Sequence, residues 1–153
     1  MASMSDGAAS KLVDEANVFL VRVYYEDTDS GGIVYYANYF KFAERARTEM
    51  LRGMGVYHTE LMMTDDIAFA VRRCDADFLV PARLDDLLEV YTSIDSVAGA
   101  SLKMEQTIKR NGDDMVNLRL KLACVTSSGR PARLPTRLRT AFEDFARKQK
   151  RHS

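Results

Sequence analysis

Between Tyr36 and Met54 the apolar residues Tyr39, Phe42, Ala43, Ala46, Met50 and Met54 recur three or four apart, with Glu44, Arg45, Arg47, Glu49 and Arg52 on the other side. This spacing predicts one long amphipathic helix, because residues three and four apart share a helical face. Gly53 and Gly55 supply its stop, since glycine tolerates the left-handed backbone of a helix C-terminus. The charged residues Arg45, Arg47 and Arg52 alternate with Glu44 and Glu49 at helical spacing, which predicts a solvated, mutually paired face.

Around this helix the sequence reads as strand. From Asn17, Val21, Val23 and Tyr25 alternate with Arg22, Tyr24 and Glu26, the period of a half-buried strand, up to a turn at Asp27 to Gly32. A short helical segment is expected from Tyr57 to Met63. Ile67, Phe69 and Val71 then keep one phase while Ala76, Phe78 and Val80 keep the other, so a bulge is expected near Arg73 to Asp75. After Pro81, Leu88, Val90, Thr92 and Ile94 face Leu102, Met104, Gln106 and Ile108 across a turn at 97–100. Asn111-Gly112 predicts a type I′ hairpin turn, which needs positive φ at both central positions, and leads into Val116, Leu118, Leu120, Leu122 and Cys124. Beyond Pro131 and Pro135, the spacing of Leu138, Phe142 and Phe145 predicts a short terminal helix.

The expected fold class is therefore α+β: a five-stranded antiparallel sheet around one long helix, in the chain order β-α-β-β-β-β, with the later strands joined by hairpins. Residues 1–15 are expected to be a mobile N-terminus, 16–147 one domain and 148–153 a basic tail. One sheet and one helix leave exposed edges and a thin core, which predicts at least a homodimer.

Composition excludes several functions. With 22 Lys plus Arg against 22 Asp plus Glu, the chain as a whole has no preference for nucleic acid or an anionic membrane. No apolar run approaches the roughly 20 residues of a membrane span, and no signal segment is recognisable, so a cytoplasmic location is expected. Only His58 and His152 are present, which excludes a histidine-rich metal site and leaves a Ser-His-Asp triad with only these two candidates. Cys74 and Cys124 carry no CxxC or Cys/His spacing and are expected to be buried free thiols.

The segment from Tyr24 to Tyr39 concentrates chemistry. Glu26, Asp27 and Asp29 arrive at the end of a strand, Gly31 and Gly32 free the backbone, and the long helix starts at once. A helix start offers unpaired N–H groups and partial positive charge, suited to a developing oxyanion, and an adjacent carboxylate can attack a thioester or deprotonate water. The same residues also suit an ordinary turn that caps a helix.

The stretch VRVYYEDTDSGGIVYYANYFKFAERARTEML, Val21 to Leu51, resembles the start of hotdog-fold thioesterases of the 4-hydroxybenzoyl-CoA thioesterase family, and within it the branch encoded beside the Tol-Pal system. The likeness continues through PARLDDLLEV at Pro81 to Val90 and spans roughly residues 18 to 126. It implies the hotdog fold and hydrolysis of short-chain aliphatic or aromatic acyl-CoA, with no cofactor beyond the CoA of the substrate. The second acid of the D-x-D pair, Asp29, is then the catalytic carboxylate, with the backbone N–H at Tyr36 polarising the thioester carbonyl. Asp27 orients the loop, and Gly32, Ile33, Val34 and Asn38 contact substrate. The resemblance also implies a homo-oligomer, a dimer or a homotetramer built from dimers.

Many relatives of that branch have His at the position of Tyr36, which bears on acyl preference. CoA phosphates would need a local basic patch, for which Arg72, Arg73, Arg83 and Lys103 are candidates. A helix glutamate is the base in a different hotdog branch, but the D-x-D loop favours a structural or solvent-facing Glu44. The alternative function is a non-catalytic scaffold for acyl chains or for acyl carrier protein, whose acidity would suit the basic tail at 147–151. A dehydratase is disfavoured, because His58 lies outside the expected site.

Overall fold

The structure, a computed structural model, describes residues 11–13 and 16–151. Six antiparallel strands form one sheet in the order β1-β2-β4-β5-β6-β3. The strands are β1 (Lys11–Val13), β2 (Ala16–Arg22), β3 (Ala68–Phe78), β4 (Leu87–Val97), β5 (Ser101–Arg110) and β6 (Asp113–Val125). Helix α1 (Ala37–Gly53) is followed by the single turn α2 (His58–Glu60), a π-helical turn (Leu61–Asp65) and, at the C-terminus, α3 (Thr136–Arg151).

The expected five strands around one long helix are present. Asn111 and Gly112 carry φ of 52° and 86°, the positive pair the hairpin turn demands. The bulge falls between Val71 and Arg73, so Arg72 is the extra residue, just ahead of where the phase change placed it.

Two expectations, the end of β2 and the connection of β3, need correction. Strand β2 ends at Arg22 rather than running to Glu26, because Tyr25–Asp27 winds into a 3-10 turn whose entry Asp27 fixes by accepting the Tyr24 N–H at 2.8 Å. Strand β3 is not hairpin-linked to β4; it pairs with β6 at the far edge, so only β4-β5-β6 is a meander and the 79–86 segment crosses the sheet. Lys11–Val13 forms a short edge strand within the stretch assigned to a mobile terminus, the rest of which lies outside the described residues. Helix α3 continues through Arg151 into the stretch assigned to a tail, and residues 152–153 lie outside the described residues.

Helix α1 buries Tyr39, Phe42, Ala43, Ala46, Met50 and Leu51 against the inner face of the sheet. Each large apolar side chain so buried contributes about 1.5–3 kcal/mol. The core has two parts. One, beneath the start of α1, includes Phe42, Val90, Ile108 and Leu118; the other, shared with α3, includes Met50, Ile94, Met104 and Phe142.

Between the two runs a buried polar row, Asn17, Thr92 and Gln106, on adjacent strands β2, β4 and β5. The Gln106 amide donates to Ala43 O at 2.9 Å and to Thr92 Oγ1 at 3.0 Å, while its carbonyl accepts from Arg47 Nη1 at 2.9 Å. Arg47 therefore leaves the solvated face expected of it, and burial lowers its pKa although Glu44 opposes the shift. Cys124 is buried as expected, whereas Cys74 is only partly so.

Gln106→Leu should cost about 2–4 kcal/mol, because it removes the acceptor of the part-buried Arg47 guanidinium together with the buried bonds to Ala43 O and Thr92 Oγ1. Urea unfolding measures this, and a loss below about 0.5 kcal/mol would remove the polar row from any role in holding α1.

Candidate functional site

The chain between β2 and α1 folds into a tight reverse loop. The Asp29 N–H donates to Ile33 O at 2.9 Å, Gly32 N–H to Asp29 O at 3.1 Å and Tyr35 N–H to Asp27 O at 3.0 Å. Thr28 and Val34 pair across it. Gly32 sits at φ +80°, where a side chain is strained, and the Gly31 N–H donates to Asp29 Oδ1 at 2.8 Å. A Cβ on Gly31 would lie 3.3 Å from that same oxygen, so the bare glycine lets the carboxylate fold back over the loop.

A second segment straps this loop down. Val34 N–H donates to Ala82 O at 2.8 Å, Leu84 N–H to Gly32 O at 3.3 Å, and Ile33 pairs with Arg83. The strap is itself anchored. The buried Tyr39 hydroxyl of α1 accepts the Ala82 N–H at 2.9 Å, and Asp86 takes Arg110 Nη1 at 2.7 Å and the Arg83 N–H at 2.8 Å. Burial opposes ionisation of Asp86, but these donors outweigh it and hold the carboxyl below its usual range. Burial is also the main cause that pushes the Tyr39 phenol up.

The residues singled out in the sequence divide accordingly. Asp29, Gly32, Ile33 and Val34 lie within one loop, and Tyr36 immediately precedes the first turn of α1. Asn38 ties the helix to the loop, its Nδ2 donating to Asp27 O at 2.9 Å. Asp29 is exposed, and among the described residues its carboxylate accepts only the Gly31 N–H. The Tyr36 and Ala37 N–H groups donate no backbone hydrogen bond among the described residues, as expected of a helix start. Beside them Ile33, Val34, Tyr36, Tyr39 and Phe78 line a cavity of about 180 Å³.

Of the four basic candidates, only Arg73 and Lys103 share a surface. Arg83 stands beside the loop, Arg72 is the bulge residue, and Arg73 and Lys103 share a shallow groove with Arg119 and Lys121. Arg73 is also paired with Asp75 at 3.6 Å.

Sequence reasoning overlooked a second cavity, of about 290 Å³, under the later half of α1. Its polar wall is Glu44, Arg47, Thr48 and His58; the Thr48 hydroxyl meets Glu44 Oε2 at 2.5 Å and His58 Nε2 at 3.0 Å. The signal was present, since Glu44, Arg47, Thr48 and Leu51 stand at helical intervals that put them on one face. No group of three or more His, Cys, Asp or Glu suited to a metal occurs among the described residues. No described helix is long and apolar enough to cross a membrane.

The family model described as "Thioesterase superfamily" matches residues 31–116. The acyl-CoA thioesterase YbgC of Haemophilus influenzae is 42% identical over 132 residues, covering 86% of this chain and 97% of that protein. The acyl-CoA thioester hydrolase YbgC of Escherichia coli is 48% identical over 97 residues, 63% of this chain and 72% of that protein. Among solved structures, a probable thioesterase from Bartonella henselae superposes with a TM-score of 0.76 at 37% identity, covering 78% of this chain and 99% of that one.

Gly32→Ala should destabilise the fold by about 1–2 kcal/mol, the cost of a left-handed backbone at a residue with a side chain. That predicts a fall of about 2–8 °C in the thermal midpoint, read by calorimetry. An unchanged midpoint would mean that the loop does not hold this conformation.

Proposed function

The chain belongs to the thioesterase superfamily and is a thioester hydrolase of the hotdog fold, and from that premise we propose that it cleaves short-chain aliphatic or aromatic acyl-CoA with Asp29 as the catalytic carboxylate. The observation that carries this reading is the pairing of an exposed, backbone-fixed carboxylate with a helix start that emerges from the same loop. The N–H of Tyr36 is positioned by main chain, so it serves as oxyanion donor whatever side chain that position bears. Gly32, Ile33 and Val34 form the wall past which the thioester approaches, and Asn38 keeps that wall docked on α1.

Two routes meet the chemistry. In one, Asp29 attacks the thioester carbon, the C–S bond breaks, CoA leaves as thiolate, and water then hydrolyses the acyl–aspartyl anhydride. In the other, Asp29 takes a proton from water as that water attacks, and the departing sulfur is protonated in turn. Turnover in water carrying heavy oxygen separates them, because anhydride hydrolysis can leave the label in Asp29 and the general-base route cannot.

The working unit is a homodimer built on β3. This strand is a sheet edge of 11 residues, with Val71, Phe78, Leu79 and Val80 between 41% and 53% exposed along it and its exit. A long open edge invites pairing with another strand, and an antiparallel second copy centred near Cys74 sets Arg73 of each chain against Asp75 of the other. Light scattering should give a mass of at least twice the 17.3 kDa chain, and a monomer would sink this assembly.

Asp29→Asn should lower kcat on butyryl- or benzoyl-CoA by about 10²-fold or more, judged against the loss of a single oxyanion donor. Free-thiol release measures it, and wild-type turnover in the variant would remove Asp29 from the chemistry. Absence of hydrolysis by the wild-type protein, with acyl carrier protein still bound, would favour the scaffold alternative.

A further inference from the structure

The strap lies within the motif PARLDD, Pro81 to Asp86, and the last acid of that motif joins it to the sheet. We infer that Arg110, the last residue of β5, is a positioning residue for thioester hydrolysis: acting through Asp86 and the strap, it holds the Asp29 loop at its working distance from the start of α1, so that its loss lowers kcat and leaves substrate binding intact. The inference rests on the Asp29 reading of the hydrolase and adds a residue that acts at a remove from the reacting atoms.

Three consecutive strap residues tie the two halves of the site to each other. Ala82 takes the helix half, its N–H donating to the Tyr39 hydroxyl at 2.9 Å while its carbonyl accepts the Val34 N–H at 2.8 Å. Tyr39 stands three residues beyond Tyr36, about one turn along the same helix. Arg83 and Leu84 take the loop half, Arg83 pairing with Ile33 and the Leu84 N–H donating to Gly32 O at 3.3 Å. Ile33 and Gly32 are the residues that exchange main-chain hydrogen bonds with Asp29, at 2.9 and 3.1 Å. The strap therefore sets how far the carboxylate stands from the Tyr36 N–H.

Apolar packing gives the strap little hold, since of residues 81–85 only Ala82 is buried. The turn that follows is strained, with Asp85 left-handed at φ +74°, a conformation that persists only when its surroundings over-determine it. Polar contacts supply that determination. Asp86 Oδ2 accepts both the Arg83 N–H at 2.8 Å and Arg110 Nη1 at 2.7 Å, and Arg22 Nη1 donates to Asp85 O at 2.8 Å. One carboxylate oxygen thus joins the strap to β5, a strand paired on both sides by β4 and β6.

Magnitudes decide where the pair is felt. The Arg110 and Asp86 side chains are 29% and 21% exposed, and an ion pair open to water in this way adds little to global stability. A reacting group displaced by about 1 Å, by contrast, loses about 10²-fold in rate. Main-chain bonds between Val23 and residues Asp85 and Asp86, at 3.0 and 2.9 Å, keep the strap attached without the pair, so a variant loosens the loop and still folds.

Arg110→Gln should lower kcat for butyryl-CoA by about 10- to 100-fold with KM within about threefold of wild type, and Arg110→Lys, which keeps a cationic donor, should recover most of that loss. On an Asp29→Asn background the same Arg110→Gln change should lower kcat by less than about threefold more, because groups that act as a unit are not additive. Amide hydrogen exchange reads the strap without turnover: the Val34 and Leu84 N–H groups should exchange about tenfold faster in Arg110→Gln, with Met104 on β5 unchanged. Should Arg110→Gln fail to fold, Asp86→Asn, which keeps an acceptor for the Arg83 N–H, carries the same measurements with the same expected direction.

Wild-type kcat in the folded variant, unchanged exchange at Val34 and Leu84, or a loss that multiplies in full with that of Asp29→Asn overturns the positioning role and leaves Asp29 in the chemistry. Wild-type turnover in Asp29→Asn itself sinks the Asp29 reading and this inference with it.

Discussion

The side-chain amide of Gln106 fixes where α1 crosses the sheet. One carboxamide, fully buried, ties the helix backbone at Ala43, the neighbouring strand at Thr92 and the guanidinium of Arg47 into one set of contacts. Apolar burial supplies most of the energy that holds α1 down, but it is non-directional and allows a helix to slide. Hydrogen bonds at a single depth along the helix do not. The two apolar clusters on either side of the polar row then pack as separate halves, one supporting the Asp29 loop and the other supporting the cavity closed by α3.

With α1 held in place, main chain builds the site. The loop that carries Asp29 makes its contacts through backbone groups to itself and to the 82–84 strap, and the strap is pinned by Tyr39 and by the Asp86–Arg110 pair. Because few side chains of the loop are spent on holding it, Asp29 remains exposed while its backbone is fixed on both flanks. The left-handed Gly32 and the side-chain-free Gly31 are what such a turn requires at those two positions.

Much of this was legible in the sequence, and the parts that were not share a cause. Helix α1, the Asn111-Gly112 hairpin and the β3 bulge are local, each written in the spacing of a few consecutive residues. The place of β3 beside β6 is not local, since an edge strand's partner depends on which face the whole sheet presents. Arg47 departs from expectation for a related reason. Its residue type suggests a solvated charge, and only the arrival of Gln106 from β5, 59 positions away, makes burial tolerable. The D-x-D loop could be found because glycines and acids cluster there, although spacing alone does not distinguish a catalytic turn from a capping one. The second cavity draws its wall from α1, α2, the π-helical turn, β3, β5, β6 and α3, and a surface assembled from seven elements leaves little trace in any one of them.

The openness of the single chain bears on the chemistry. A helix-start N–H stabilises an oxyanion far better where water is excluded, since the interaction weakens as the local dielectric rises. In one chain Tyr35 and Tyr36 are each more than half exposed, and the loop carboxylate faces solvent. The β3 edge, apolar at its two ends and charged at Arg72, Arg73, Asp75 and Asp77 between them, runs from the cavity to Phe78, whose ring packs edge-on against both Tyr36 and Phe40. Covering that edge would dry the same aromatic surface that flanks the helix start. A second copy laid on that edge would pair the chains and exclude water from the helix start in one event, and the Asp29 loop lies at the margin of the fold, where such covering reaches it.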